Sequence, residues 1–109
     1  MQVTILPGSI NGTVTANPSK SAMQRAVAAA LLSNGKSIIR NPGLSNDCLA
    51  ALDVASKLGA TINRQEDYIE ITSNGIHPVQ SAGNEINCGE SGLGIRMFTP
   101  IASLSPLPI

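Results

Sequence analysis

A polar cluster at residues 20–25 holds the side chains best suited to binding chemistry: Lys20, Ser21, Gln24 and Arg25. The surrounding pattern predicts that they open a helix, on which Ser21 and Arg25 share a face at i and i+4. Lys20 would lie beside the unpaired N–H groups and the positive dipole end of that helix. A lysine, a hydroxyl and an arginine that converge there suit a phosphate or a carboxylate, which arginine grips with two parallel hydrogen bonds. Spacing alone favours the alternative, a solvated polar face without a ligand.

A second candidate is the glycine-rich stretch at residues 89–96, which reads Gly-Glu-Ser-Gly-Leu-Gly-Ile-Arg. Glycines let backbone N–H groups approach a ligand closely, and a helix that starts here would attract an anion, with Arg96 just inside it. The stretch matches neither the phosphate-binding loop that ends in Gly-Lys-Ser/Thr nor the dinucleotide-binding fingerprint. A flexible glycine turn with a surface arginine explains the stretch equally well. Two anion-suited helix starts in one short chain nevertheless favour a site for an anionic ligand.

No nucleophile and base are paired in the sequence, so we predict no catalytic residue in this chain. The one histidine, His77, falls in a Gly- and Pro-containing loop, where we expect it to be solvated. Asp47 and Asp53 lie on one predicted helix but face in different directions, so they do not form an acid–base pair. One histidine and two cysteines at unrelated spacings do not make a zinc ligand set, and we predict no metal site.

Composition limits the kind of protein that this chain can be. It has 109 residues, of which 42% are hydrophobic, 13% charged and only 2% aromatic, so we expect one small packed unit with an aliphatic core. The formal net charge of zero excludes a strongly basic nucleic-acid surface. No apolar run reaches the about 20 residues of a membrane span, and no secretory signal is evident, so we expect a cytoplasmic location. Cys48 and Cys88 are expected to be reduced thiols, buried or partly buried.

Strand and helix patterns alternate along the chain. We predict strands at 3–6 and 13–16, a helix at 20–33, a strand at 37–40, a helix from Ser45 or Asn46 to Gly59, a hairpin of strands 60–63 and 68–72, a short strand at 85–88 and a helix at 91–104 with an irregularity at Pro100. This order predicts an α/β (α+β) fold with repeated β/α units, in which helices pack on a mixed sheet. The apolar ending at residues 105–109 has no clear cap, which suggests part of a longer chain.

Two apolar stripes at helical spacing supply the expected core. The first helix contributes Met23, Ala26, Val27, Ala30 and Leu31, and the second contributes Ala51, Val54, Ala55 and Leu58.

The motifs, taken in order, resemble the enolpyruvyl transferase family and, within it, the 5-enolpyruvylshikimate-3-phosphate synthases. The specific block is Pro-Ser-Lys-Ser at residues 18–21 with Arg25 on the following helix. The supporting blocks are Asn-Gly-Lys-Ser at 34–37, Ser-Asn-Asp at 45–47, Leu-Gly-Ala at 58–60 and Cys-Gly-Glu-Ser-Gly at 88–92 with Arg96. The resemblance covers essentially the whole chain. The sister enzymes that act on UDP-N-acetylglucosamine have a different first block and are therefore the more distant alternative.

The resemblance implies transfer of the enolpyruvyl group of phosphoenolpyruvate to the 5-hydroxyl of shikimate 3-phosphate, with release of phosphate and without a metal or organic cofactor. By match to the motifs, Lys20, Ser21 and Arg25 would hold shikimate 3-phosphate, with Lys20 also near phosphoenolpyruvate. Gly92 would line the phosphoenolpyruvate pocket, and Arg96 is a further candidate there. Glu90 departs from the family pattern, in which asparagine is common. An acid beside a dianion is unfavourable, so we do not assign Glu90 as a ligand.

The resemblance also implies a two-lobed enzyme whose lobes are inside-out α/β barrels with the active site between them. Residues 1–16 would be strands of the other lobe, and residues 17–109 would form the first β/α unit and the start of the next. The chain would then be an N-terminal fragment that does not catalyse alone, since the acid and base carboxylates of the family lie downstream. A non-catalytic anion-binding domain of the same fold is the alternative from another functional class.

Overall fold

The computed structural model describes residues 1–77 and 85–109. Its elements are α1 (Lys20–Leu32), β1 (Asn34–Arg40), α2 (Asn46–Lys57), β2 (Thr61–Arg64), β3 (Tyr68–Asn74) and α3 (Gly92–Ala102). This mixed α/β arrangement confirms the predicted fold class at the level of helices packed on a sheet. The predicted helices and the predicted hairpin are all present, with ends shifted by a few residues.

The sheet has three strands in the order β1-β3-β2. Strand β3 is antiparallel to both neighbours, pairing Asn34 of β1 with Asn74 and Arg40 with Tyr68. The expected mixed sheet was therefore wrong. Strands β1 and β2 do run in the same direction, and α2 connects them, but the tight β2–β3 hairpin inserts β3 between the two. The parallel strands are consequently never neighbours.

The core lies between the helices and one face of the sheet. Strand β3 alternates, burying Ile69, Ile71 and Ser73 against the helices. The predicted stripes of α1 and α2 are buried there, except that Ala26 is only partly covered and Gln24 is fully buried instead. Helix α3 packs against both other helices and adds Phe98 to the core. A fully buried leucine or phenylalanine contributes about 1.5–3 kcal/mol, so this aliphatic layer holds the helix starts in place.

Local signals set the helix ends. The Oγ of Ser19 accepts a hydrogen bond from the N–H of Ala22 at 3.3 Å and so caps α1. Ser45 precedes α2 and Asp47 lies in its first turn, where an acid is favourable near the positive dipole end. Pro100 lies in the last turns of α3, which ends at Ala102, before the predicted 104.

The strands predicted at residues 3–6, 13–16 and 85–88 are not formed. Residues 1–19 carry no helix or strand and are exposed throughout. A strand needs a neighbouring backbone to satisfy its N–H and C=O groups, and the described residues provide none beside these segments. Their β-type composition was therefore insufficient to define secondary structure.

Candidate functional site

Two side-chain contacts bring the starts of all three helices together. The Nζ of Lys20 lies 2.8 Å from the Oδ2 of Asp47, which joins the start of α1 to the start of α2. The hydroxyl of Ser91, the N-cap of α3, donates to the Oε1 of Gln24 at 2.8 Å and joins α3 to α1. Each helix start presents unpaired N–H groups and the positive end of its dipole. One end of the layer is therefore suited to anions, as the two sequence motifs suggested.

Asp47 holds Lys20 in its charged form. The hydrogen bond from Lys20 to Asp47, followed by the opposite charge of that carboxylate, raises the pKa of Lys20 above its ordinary value. The ammonium group consequently stays protonated throughout the neutral range. The Lys20 side chain is 56% exposed, so an anion in solvent reaches it directly.

Ser21 and Arg25 continue the same face of α1. Ser21 is partly buried and Arg25 is exposed. Arg25 makes no ion pair within the part of the chain that the structure describes. Its guanidinium therefore remains available for two parallel hydrogen bonds to a phosphate.

The glycine-rich turn presents open backbone at the start of α3. The Oγ of Ser91 accepts from the N–H of Gly94 at 2.9 Å and fixes the first turn of the helix. A Cβ built at Gly92 would meet no atom within 4 Å, so space is free above this helix start. Arg96 and Glu90 are both exposed, and no described contact brings Arg96 to Lys20 or Arg25. The assignments of Gly92 and Arg96 as ligand-binding residues remain predictions.

Sequence reasoning missed the roles of Gln24 and Asp47. Gln24 was grouped with the polar residues, although it lies in register with Val27, Ala28 and Leu31 at i, i+3, i+4 and i+7, which was the signal for its burial. Asp47 was considered beside Asp53, with which it forms no acid–base pair, and as part of the block at residues 45–47. Nothing along the chain indicates that its carboxylate meets Lys20.

Other candidates lie away from these helix starts. A cleft of about 600 Å³ runs between α2, α3 and the last residues, and its walls are mainly apolar. Among the described residues that line it, only Glu85 has a charged side chain. Cys88 lines this cleft, and burial raises the pKa of its thiol. Both cysteines are buried and unbonded, as expected, and His77 is exposed. Residues 78 and 79 of its predicted loop lie outside the described residues.

Comparisons with known proteins agree with the motif assignment. The model of the EPSP synthase (3-phosphoshikimate 1-carboxyvinyltransferase) family matches residues 6–109. Proteins with the name 3-phosphoshikimate 1-carboxyvinyltransferase are 40% identical in Clostridium beijerinckii, 39% in Methanocorpusculum labreanum and 39% in Clostridioides difficile. These matches cover 92%, 94% and 90% of this chain, respectively. They cover 24% of each relative, so the chain spans about a quarter of their length.

No helix among the described residues is long and apolar enough to span a membrane. The printed names of the family and of these relatives favour the shikimate branch over the UDP-N-acetylglucosamine branch and do not favour a non-catalytic anion-binding domain of the same fold. The chain belongs to the EPSP synthase family.

Proposed function

We propose that this chain is the N-terminal part of an enzyme that transfers the enolpyruvyl group of phosphoenolpyruvate to the 5-hydroxyl of shikimate 3-phosphate and releases phosphate, a step of chorismate and aromatic amino acid biosynthesis. The observation that carries the proposal is that the first turns of α1 contact the starts of both other helices, α2 through the protonated Lys20 and α3 through Gln24. Both substrates are anionic, and such an end of the fold suits anions. The names of the relatives indicate the same reaction.

Within this proposal, Lys20, Ser21 and Arg25 hold shikimate 3-phosphate. Lys20 also faces phosphoenolpyruvate, and the backbone at Gly92 lines the pocket for that substrate, with Arg96 as an additional cation. The exposure of Lys20 and Arg25 and the open space at Gly92 support these roles. As the family resemblance implies, the proposed reaction uses no metal or organic cofactor.

The proposed architecture follows the two-lobed family plan. Residues 17–109 would start one inside-out α/β barrel lobe, and residues 1–16 would join the other lobe. The exposed apolar side chains of the first segment support this arrangement, since an apolar run of this kind needs a covering surface: Val3, Ile5, Leu6, Ile10 and Val14. The remainder of the enzyme would supply the acid and base, so we expect the chain alone to be inactive. We place the enzyme in the cytoplasm.

Titration of the 109-residue chain with shikimate 3-phosphate, monitored by amide NMR, tests the proposal directly. We expect chemical shift changes centred on residues 19–25 and at Asp47, whose carboxylate must adjust when Lys20 binds the phosphate. Inorganic phosphate at the same concentration is the control and should give smaller changes. If the full-length enzyme that contains this chain also fails to bind shikimate 3-phosphate at millimolar concentration, the proposed function is wrong.

Replacement of Gly92 by alanine tests the phosphoenolpyruvate pocket. The added methyl group meets no protein atom within 4 Å, so the free energy of unfolding should be unchanged. Crowding of a bound substrate costs about 1–3 kcal/mol, which raises the KM for phosphoenolpyruvate about 5- to 150-fold. Steady-state kinetics of the full-length enzyme measure this effect. The KM for shikimate 3-phosphate, measured on the same variant, is the control and should stay near the wild-type value. An unchanged KM in Gly92→Ala contradicts the placement of this pocket.

A further inference from the structure

A buried chain of hydrogen bonds connects α1 to the start of α3. The N–H of Gly94 donates to the Oγ of Ser91 at 2.9 Å, so the single hydroxyl proton of Ser91 is free to donate to Oε1 of Gln24 at 2.8 Å. Gln24 is 0% exposed and Ser91 is 4% exposed.

The contact leaves little room for movement. A Cβ added at Gly94 would lie 2.9 Å from the Oγ of Ser91 and 3.6 Å from Oε1 of Gln24. Gln24 lies one helical turn after Lys20 and directly before Arg25, whereas Ser91 directly precedes Gly92. One buried contact therefore joins the stretch proposed to bind shikimate 3-phosphate to the turn proposed to bind phosphoenolpyruvate.

The glutamine at this position works against stability. Its Nε2 is buried and has no hydrogen-bond partner among the described residues. An unmet buried donor is destabilising, and an apolar side chain of similar length would fill the same place on the stripe of α1 without that penalty. A simple packing role therefore does not explain a glutamine here.

We propose that Gln24 is a positioning residue that couples the two substrate sites. This inference rests on the proposed function. Gln24 holds Ser91, and Ser91 holds the first turn of α3, so an adjustment of α1 on binding shikimate 3-phosphate changes the N–H groups offered to phosphoenolpyruvate. Coupling between sites commonly changes affinity about 5- to 150-fold, and linkage requires the effect to be reciprocal.

The test measures binding of phosphoenolpyruvate to the full-length enzyme, with and without saturating shikimate 3-phosphate. Gln24→Met keeps the length of the side chain and removes the hydrogen bond. We expect it to reduce the gain in phosphoenolpyruvate affinity about fivefold or more. Affinity for shikimate 3-phosphate alone should change less than about twofold, because the side chain of Gln24 is fully buried and a ligand in solvent does not reach it. Thermal stability should equal or exceed that of the wild type.

A double-mutant cycle and a matched control separate coupling from structural damage. Ser91→Ala removes the contact with Gln24 and also the cap bond from the N–H of Gly94, so it should reduce the coupling at least as much as Gln24→Met. The Gln24→Met/Ser91→Ala double variant should reduce the coupling no further than Ser91→Ala, because the shared contact is already lost. Ser73→Ala is the control: Ser73 is also buried and donates to the carbonyl oxygen of Leu31 at 2.6 Å, at the other end of α1. It should lower stability and leave the coupling unchanged.

The possible failures are distinguishable. A wild-type enzyme that binds neither substrate overturns the proposed function and this inference together. A wild-type enzyme that binds both without coupling, a Gln24→Met variant with wild-type coupling, or equal loss of coupling in Ser73→Ala overturns this inference alone.

Discussion

Lys20→Ala and Arg25→Ala are each expected to weaken shikimate 3-phosphate binding by about 2–4 kcal/mol, which corresponds to about 30- to 700-fold in Kd. Each variant removes a charged partner from a phosphate that is largely desolvated once bound. Isothermal titration calorimetry of the full-length enzyme that contains this chain measures both values.

The larger loss should occur in Lys20→Ala. Lys20 lies 2.8 Å from the Oδ2 of Asp47, so its removal also leaves an uncompensated carboxylate beside the substrate phosphate. Like charges at such a separation repel each other. The double variant Lys20→Ala/Asp47→Asn should therefore recover part of the affinity, whereas Asp47→Asn should give no such recovery in the Arg25→Ala background.

Lys36→Ala is a closely matched control. The Lys36 side chain is 57% exposed, close to the value for Lys20, and it also pairs with a carboxylate, the Oε2 of Glu70 at 3.3 Å. Lys36 lies on the face of the sheet opposite the helices, away from the helix starts. Wild-type affinity in Lys20→Ala, or an equal loss in Lys36→Ala, contradicts the proposed site.

Gly59→Ala is expected to lower the free energy of unfolding by about 2–6 kcal/mol. Gly59 follows Leu58, the C-cap of α2, and has φ +110°, a conformation that L side chains rarely adopt. Its added Cβ would overlap the carbonyl oxygen of His77 and lie 2.9 Å from its carbonyl carbon. These are backbone atoms, and the N–H of His77 donates to the carbonyl of Leu58 at 2.9 Å, so the segment cannot move away without losing that bond.

Gly35→Ala isolates the conformational part of this effect, so the difference between the two variants gives the steric part. Gly35 has a similar φ of +117°, but a Cβ there would meet nothing within 4 Å. Its substitution should cost only the conformational strain, about 1–3 kcal/mol. Urea denaturation of the 109-residue chain and its two variants gives both values. If the free energy of unfolding falls equally in the two variants, the close approach of His77 to Gly59 adds nothing to the cost of a side chain at residue 59.

Several features were predictable because their causes are local. Helix formation depends on residues that are only a few positions apart in sequence. Such short-range patterns underlie the apolar stripes of α1 and α2, the cap at Ser19 and the glycine after α2. The polar hairpin turn between β2 and β3 is equally local. The polar cluster at residues 20–25 and the glycine-rich stretch at residues 89–96 were identified as candidate sites for the same reason, because each is one continuous stretch of sequence.

The remaining features depended on contacts between distant parts of the chain. The strands expected at residues 3–6 and 13–16 are absent, since a strand depends on a partner that no local pattern supplies. The position of β3 between β1 and β2 was also not predictable from strand patterns, because these do not define the order of strands in a sheet.

Residue types alone therefore determined that this chain forms helices on a sheet and carries two stretches suited to anions. Only tertiary packing decided that the two stretches meet. Gln24 and Ser91 are 67 residues apart in sequence, and their hydrogen bond forms because α3 packs against α1. Lys20 meets Asp47 because α1 and α2 lie side by side with their starts at the same end. Such juxtapositions follow from burial of the whole apolar layer, which acts over the complete fold and leaves no local signal in the sequence.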